Sequence, residues 1–473
     1  MSPASSTASP FPTALPIAVL GAGITGLSAA WHLQRAGASI ALFETSGRVG
    51  GVIESIRRDG WLHEAGPNSV LEGPPEAEKM IEALGLGPRR LYAGDAAKNR
   101  YVVRRGQLEP MPTSLAAFLR SQLFSLRAKL RIASEIFRPR GMRSEKETVA
   151  EFTLRRLGRE FLDYAIDPFV GGVYAGDPFR LSVRHAFPKL LALEMKHGSL
   201  LRGAIRKRNA SGGPSGKLFS FPDGLEELPR AMAESLGGSL RLQTRIHEVR
   251  RLDAEWRIAY ERGGETREEC FSAVICALPG DALATLKFEG YDNAGGLCVM
   301  SEIEHPPVAS VFTGFRREDV SHALDGFGVL VPRAEGRNIL GTLFSSTLFS
   351  GRAPADHVAL TTFVGGARQP ALGRLDDRAV TKLVQAELAT LLGVRAAPVF
   401  VSVRRHARAI PQYTVGYDRY QASCANAEAS ALGLYIGGNC RDGVSVSACL
   451  ASGRRLALAA VPGAPAKPAC VVN

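Results

Sequence analysis

Apolar residues fall in two rhythms along the start of this chain. They run unbroken from Ile17 to Leu20, recur at helical spacing through Leu27, Ala30, Trp31 and Leu33, and run unbroken again from Ile40 to Phe43. The pattern predicts strand, helix, strand. Gly21-x-Gly23-x-x-Gly26 fills the first junction, Ile24 opens the helix, and Glu44 closes the second strand. Near the far end, "LYI" at 434–436 reads as a buried strand, followed by a Gly-Gly-Asn loop and a helix from about Val444. Between these ends, runs at 240–252, 256–261 and 272–279 read as three strands.

The middle of the chain follows a different rhythm. "PVASVFTGF", "GFGVLVP", "NILGTLFSS" and "ALTTFVGG" are short β-type runs between Gly- and Pro-rich turns, which predicts an antiparallel sheet over about 300–370. Asp376 and Asp377 then open a helix through Leu392. Leu115, Leu119, Leu123, Leu126, Leu130, Ala133 and Phe137 mark one helical face over 114–137, with Arg120, Arg127 and Arg131 beside it. "DPFVGGVYAGDPFRLS", 167–182, puts Gly171, Gly172 and Gly176 among Phe169, Tyr174 and Phe179, and is expected to interrupt a helical region.

Length adds that 473 residues exceed one ordinary core, so two or three domains are expected. The net charge is +12, and eleven Lys/Arg against three Glu between Arg100 and Lys146 place +8 of it in one tenth of the chain. Basic side chains beside an apolar stripe suit an anionic membrane surface, and a core-packed helix with a solvated basic flank suits the pattern equally well. No nucleic acid is expected as partner, and a homodimer stays open. No apolar run reaches about 18 residues, which argues against a transmembrane helix. The seven cysteines are scattered with no C-x-x-C pair, which argues for a reducing compartment and against disulfides or a zinc site. The Ser/Pro/Ala-rich lead and the Pro-rich tail read as disordered, with no secretory signal. The ending Cys470–Asn473 matches a prenylation box only superficially. The expected place is peripheral, on the cytoplasmic side of a membrane.

The chemistry starts at the first junction. Gly21 suits a tight turn, Gly23 lets backbone approach a pyrophosphate, and Gly26 lets helix and strand pack closely. The helix N-terminus offers unpaired N–H groups to phosphate, and Glu44, eighteen residues past Gly26, can accept from a ribose diol. Arg48, Gly50 and Gly51 in "SGRVGG" form a second phosphate-facing loop. This loop resembles the extended motif of FAD-binding oxidases of the amine oxidase and phytoene desaturase superfamily. "HEAGPNSV", with Gly66, Pro67, Asn68 and Ser69, resembles their loop past the flavin ring. The resemblance adds Ile246 on the adenosine side. The helix start around Asn439, Val444 and Val446 would face the flavin.

With "GPNSVLE", "NRYVV", "FVGGVYAGDPFRLS", "GFGVLVP", "LGTLFSS" and "TTFVGG" in order, the chain resembles the FAD- and oxygen-dependent protoporphyrinogen oxidases from about residue 17 to 460. The resemblance implies an α/β plus α+β architecture. A discontinuous Rossmann-type FAD-binding domain would span 16–95, 215–300 and 405–462. A helical, membrane-associating domain would span 96–214, and an antiparallel-sheet substrate domain 301–404, between a lead of 1–15 and a tail of 463–473. It implies that a backbone carbonyl at Gly176, with Ala175 as neighbour, faces the pyrrole N–H groups of the substrate. Taken alone, that stretch would serve equally as a helix C-cap turn. Arg100 would pair with a propionate, and Leu330, Leu343 and Phe363 would sandwich the macrocycle. The implied reaction removes six electrons from protoporphyrinogen IX in three flavin turnovers, with O2 as acceptor and H2O2 as product. No protein residue is assigned as catalytic base.

Three rivals remain. Coproporphyrinogen III oxidase would want more cations around the ring edge. An amine oxidase would want an aromatic cage at the flavin, and "GGNCRDGVSVS" carries no aromatic residue. Non-catalytic Rab escort and GDI-type proteins need no intact flavin site.

Overall fold

The computed structural model describes residues 15–73, 75–139, 146–211, 217–292 and 294–461. Nearly all of the lead, all of the tail with its Cys470 ending, and residues 140–145 of the basic block lie outside the described residues.

The continuous apolar runs become a five-stranded, wholly parallel sheet. Its order is Leu240–Arg241, Ile40–Phe43, Ile17–Leu20, Ala273–Cys276, Leu434–Ile436. The three central strands are buried at every position, as a sheet covered on both faces requires. Helices Ile24–Arg35 and Val446–Ala460 lie against each other beside it. A Cβ at Gly453 would overlap the Thr25 carbonyl oxygen, and the Ser28 hydroxyl donates to Leu450 O at 2.8 Å. The second helix starts at Val446, capped by Ser445, two residues later than its apolar pattern suggests.

Of the three central runs, 272–279 joins this sheet through Ala273–Cys276 and 240–252 only through Leu240–Arg241. Thr244–Leu252 leaves it and forms a four-stranded sheet with Glu255–Arg262, Glu265–Phe271 and Lys287–Glu289, with a bulge between Ile246 and Glu248.

The middle runs form a larger sheet than the pattern predicted. Seven strands lie in the order Phe400–His406, Val308–Arg316, His357–Gly365, Gly341–Leu343, Gly328–Leu330, Tyr101–Arg104, Gln107–Pro110. The hairpin Tyr101–Pro110, expected among the helices, completes the edge. It pairs parallel to Gly328–Leu330, the one parallel contact in the sheet. Helix Asp377–Leu392 begins at its Asp376 cap, as the sequence indicates.

The predicted single helix over 114–137 is two helices, Leu115–Arg120 and Leu126–Ala133, followed by a 3₁₀ turn, Ser134–Phe137. Ser125 causes the break. Its hydroxyl accepts from Ala128 N and donates to Glu160 at 2.6 Å, so the chain restarts a helix there. Leu123 consequently turns inward and is fully buried beside Phe124. Leu115, Leu119, Leu126, Leu130 and Phe137 stay 61–84% exposed. No helix among the described residues is long and apolar enough to cross a membrane.

Candidate flavin and substrate site

The two glycine loops of the N-terminal region meet. Gly21 has φ +96° and donates to Phe43 O at 2.8 Å, while a Cβ at Gly26 would overlap the Gly21 carbonyl. A Cβ at Gly23 would meet no atom within 4 Å, so the space in front of it is open. Gly50 N donates to Ala22 O at 2.9 Å and lays the second loop along the first, with Gly50 at φ +95° and Gly51 at +61°. Arg48 holds that loop from inside, donating to Val49 O, Ile53 O and Gly51 O at 3.1, 3.0 and 2.5 Å. It therefore acts here as a staple of the loop, with an ion pair to Glu54 at 3.3 Å.

Glu44 accepts from Ala22 N and Ser46 N, both at 2.9 Å, and its own carbonyl accepts from Thr244 N at 2.8 Å. The last contact brings the strand of Ile246, half-buried, alongside the acid. Gly66 is as tightly placed as Gly26, since a Cβ would overlap Val52 O, and the Asn68 amide donates to Gly66 O at 3.2 Å. Pro67 and Ser69 are half-buried in the same loop.

The C-terminal loop is held by residues that local motifs do not reveal. The Tyr413 hydroxyl donates to Asn439 O at 2.5 Å and accepts from Gly443 N at 2.9 Å. Tyr417 donates to Cys440 O at 2.6 Å. Burial pushes the Tyr413 hydroxyl and the Cys440 thiol well up, so both keep their protons. Val444 and Val446 are half-buried at the entry to the helix.

Strand register places the apolar candidates together. Leu330 pairs with Gly341, which pairs with Phe363; Leu343 pairs with Gly328 and with Thr361. Paired and alternate residues share a face, so Leu330, Leu343 and Phe363 lie on one side of the sheet, each half-buried. Over that side lies helix Asp167–Tyr174. Gly171 and Gly172 sit inside this helix and do not interrupt it. They allow close approach: a Cβ would come 2.5 Å from Arg368 Nη2 at Gly171 and 2.8 Å from Leu330 Cδ2 at Gly172. The helix ends at Ala175 in the left-handed region, φ +46°, so the C-cap turn is present. Ala175 O accepts from Ala367 N at 2.7 Å. Gly176 is buried beside it, where a Cβ would come 2.7 Å from Gln412 Oε1 and 3.1 Å from Leu181 Cδ1. Arg100 is exposed where the neighbouring strand begins, 5.2 Å from the Phe327 ring centre, with no acidic partner among the described residues.

The sequence profile of the flavin containing amine oxidoreductases matches residues 24–460. The chain belongs to that family. Members of the family are FAD-dependent oxidoreductases, and the glycine cradle fits the cofactor. The open space before Gly23, the helix start at Ile24 and the acceptor Glu44 are what a dinucleotide requires. The chain is 33% identical to protoporphyrinogen oxidase 2, chloroplastic/mitochondrial, of Arabidopsis thaliana, over 93% of its own length and 92% of the relative's. It is 27% identical to coproporphyrinogen III oxidase of Bacillus subtilis, over 93% and 96%. A solved structure provisionally assigned as a protoporphyrinogen oxidase, from Exiguobacterium sp. 255-15, superposes with a TM-score of 0.77 at 27% identity. That match covers 94% of this chain and 98% of the other.

Within this flavoprotein, one more polar group adjoins the 66–69 loop. A small crevice lies between Asn68, Thr361, Ser345 and the buried side chains of His63, Glu64 and Arg352. Burial pushes the Glu64 carboxyl up to about 7 and the His63 imidazole down to about 4.

Proposed function

We propose that this chain oxidises protoporphyrinogen IX to protoporphyrin IX with FAD and O2, releasing H2O2. The observation that carries this reading is the sheet face of Leu330, Leu343 and Phe363, overlaid by the helix that ends in the Ala175–Gly176 turn, with Arg100 at its edge. A flat apolar wall suits a tetrapyrrole, and a main-chain carbonyl at the turn suits its inward N–H donors.

FAD, when bound, supplies hydride acceptance; every other task falls to the chain. Gly21, Gly23, Ile24, Gly26 and Glu44 would hold the dinucleotide, with Ile246 at its adenosine end. Gly50, Gly51 and the 66–69 loop would line its course, and Asn439, Val444 and Val446 would meet it from the C-terminal helix. Leu330, Leu343 and Phe363 would exclude water and fix the plane of the macrocycle. Gly176 would accept from the pyrrole N–H groups, and Arg100 would hold a propionate by a charge-assisted pair.

Coproporphyrinogen III, with two further propionates, is the second reading. Its charge demand argues against it. Arg104 pairs with Glu160, Arg333 with Asp177 and Arg368 with Asp167, which leaves Arg100 as the unpaired arginine beside this face among the described residues. Steady-state oxidation of both porphyrinogens, followed by porphyrin fluorescence and H2O2 release, tests the choice. A higher kcat/KM for protoporphyrinogen IX is expected, and the reverse order would overturn it.

The proposed partition keeps the parallel-sheet segments as the flavin-binding part and the seven-stranded sheet, now including 101–110, as the substrate part. The exposed leucines of 115–130 would rest on the cytoplasmic side of an anionic membrane surface.

A further inference from the structure

Asp167 and Asp177 stand at the two ends of the glycine-bearing stretch, and sheet-side arginines hold both. Arg368 Nη2 donates to Asp167 O at 2.5 Å and lies 3.2 Å from its carboxylate. Nη1 donates to Val331 O at 3.0 Å, the residue directly after Leu330. Arg333 pairs with Asp177 at 2.8 Å, and its backbone N–H donates to Asp167 Oδ2 at 2.8 Å. At the far end of the helix, Ala367 N donates to Ala175 O. Gly366, at φ +71°, has no Cβ because one would lie 2.5 Å from that same oxygen. The turn 365–368, which continues the strand of Phe363, therefore grips the helix at its first and last turns.

We propose that Arg368 is a positioning residue that sets the spacing between helix Asp167–Tyr174, with the turn that ends it, and the sheet face of Leu330 and Phe363, and so the macrocycle this site accepts. The proposal rests on the reading of that face as the porphyrinogen site.

Stability alone does not account for the arrangement. The Asp167 and Arg368 side chains are 4% and 7% exposed, and Asp167 Oδ1 and Arg368 Nε lack hydrogen-bond partners. A buried pair so incompletely satisfied is often matched or bettered by apolar residues of similar volume. What apolar residues would not reproduce is a planar cation that joins the helix start to the carbonyl next to Leu330. Gly171 is part of the same device, because any side chain there would displace the guanidinium.

The test uses the flavin-loaded enzyme as Arg368→Met, Gly171→Ala and the double variant, with flavin content, thermal midpoint, and KM and kcat for protoporphyrinogen IX. Arg368→Met is expected to raise KM roughly ten- to a hundredfold at unchanged flavin content, with kcat much less affected. Gly171→Ala should act in the same direction. The double variant should be no worse than Arg368→Met alone, because removing the guanidinium makes room for the new methyl. A lowered thermal midpoint with KM unchanged, or strictly additive effects, would overturn the proposal. Should the Met variant fail to fold, Arg368→Lys carries the test. It keeps the charge without the two-armed contact, and a wild-type KM in it would equally overturn the idea. Failure of the underlying reading looks different, since Phe363→Ala, on the face itself, would then leave the KM for protoporphyrinogen IX unchanged as well.

Discussion

The hydroxyl of Tyr413 is shared between the Asn439 carbonyl, 2.5 Å away, and the Gly443 N–H, 2.9 Å away. One phenol thus pins both sides of the loop that leads into helix Val446–Ala460. Tyr413→Phe leaves a carbonyl and an N–H of that loop without their partner, at a cost of about 1–3 kcal/mol. We expect a lower thermal midpoint and weaker FAD retention, with the midpoint partly restored by added FAD. Flavin content and thermal unfolding with and without free FAD check this. Wild-type values in both would show that the loop is held by other contacts.

That tyrosine also marks the limit of what the chain discloses in one dimension. Gly21, Gly26, Gly50 and Glu44 were legible because each serves a partner within the short strand–helix–strand stretch and the loop that follows it, where spacing fixes the geometry. Leu330, Leu343 and Phe363 were nameable only through the family resemblance; by themselves they are ordinary strand residues. Tyr413 and Arg368 escaped because their partners lie 26 and 201 residues away and are reached only after the sheets assemble. Leu123 was misread for a local reason. A periodicity count assumes one unbroken helix, and the Ser125 cap resets the phase.

Gly23→Leu separates cofactor binding from folding. A new Cβ at this position meets no protein atom within 4 Å, so a side chain can start here without displacing the fold and extend into the space proposed for the dinucleotide. The variant should fold, with the far-ultraviolet spectrum of wild-type apoprotein, and purify without the yellow flavin absorbance. Full flavin content would show that the pyrophosphate lies elsewhere.

Arg100→Ala should act on the substrate and leave the flavin alone. The guanidinium has no acidic partner among the described residues and touches the Phe327 ring, so its removal disturbs little of the fold. Loss of a charge-assisted pair to a propionate is worth about 1.5–3 kcal/mol, or roughly ten- to a hundredfold in KM. Steady-state kinetics at constant flavin absorbance check it, and an unchanged KM for protoporphyrinogen IX rules the role out.

Glu64 gives the protein a pH signature. Its carboxyl is pushed up to about 7 by burial, against the opposing pull of Ser55, the Leu225 N–H and Arg352. A carboxyl whose folded pKa lies above its unfolded value favours the folded state below the unfolded value, near pH 4.5. That advantage is lost as pH rises through about 7. At its fullest the effect is about 3 kcal/mol. Glu64→Gln cannot titrate, so its thermal midpoint should fall less than that of wild type between pH 5 and pH 8. Parallel profiles would show that Glu64 is ionised throughout, held by Arg352 at 3.6 Å.

The exposed leucines of the two short helices should hold the protein on an anionic membrane. Leu115, Leu119, Leu126 and Leu130 are each more than 60% exposed, and Phe137 is 84% exposed, within a stretch of net charge +8. Basic residues near an anionic leaflet contribute about 1 kcal/mol each and are screened by salt, whereas the apolar side chains add a contribution that salt does not weaken. Binding to anionic vesicles should therefore fall at high salt without vanishing. It should weaken when Leu119, Leu126 and Leu130 are made polar, with the thermal midpoint little changed. Leu123, buried among Phe124 and its neighbours, serves as the contrast, since a polar residue there should lower the thermal midpoint. Flotation with anionic liposomes at low and high salt reads the outcome. If wild-type protein stays at the bottom of the gradient at low salt, the leucines face some other surface, and the basic stretch is only a solvated flank.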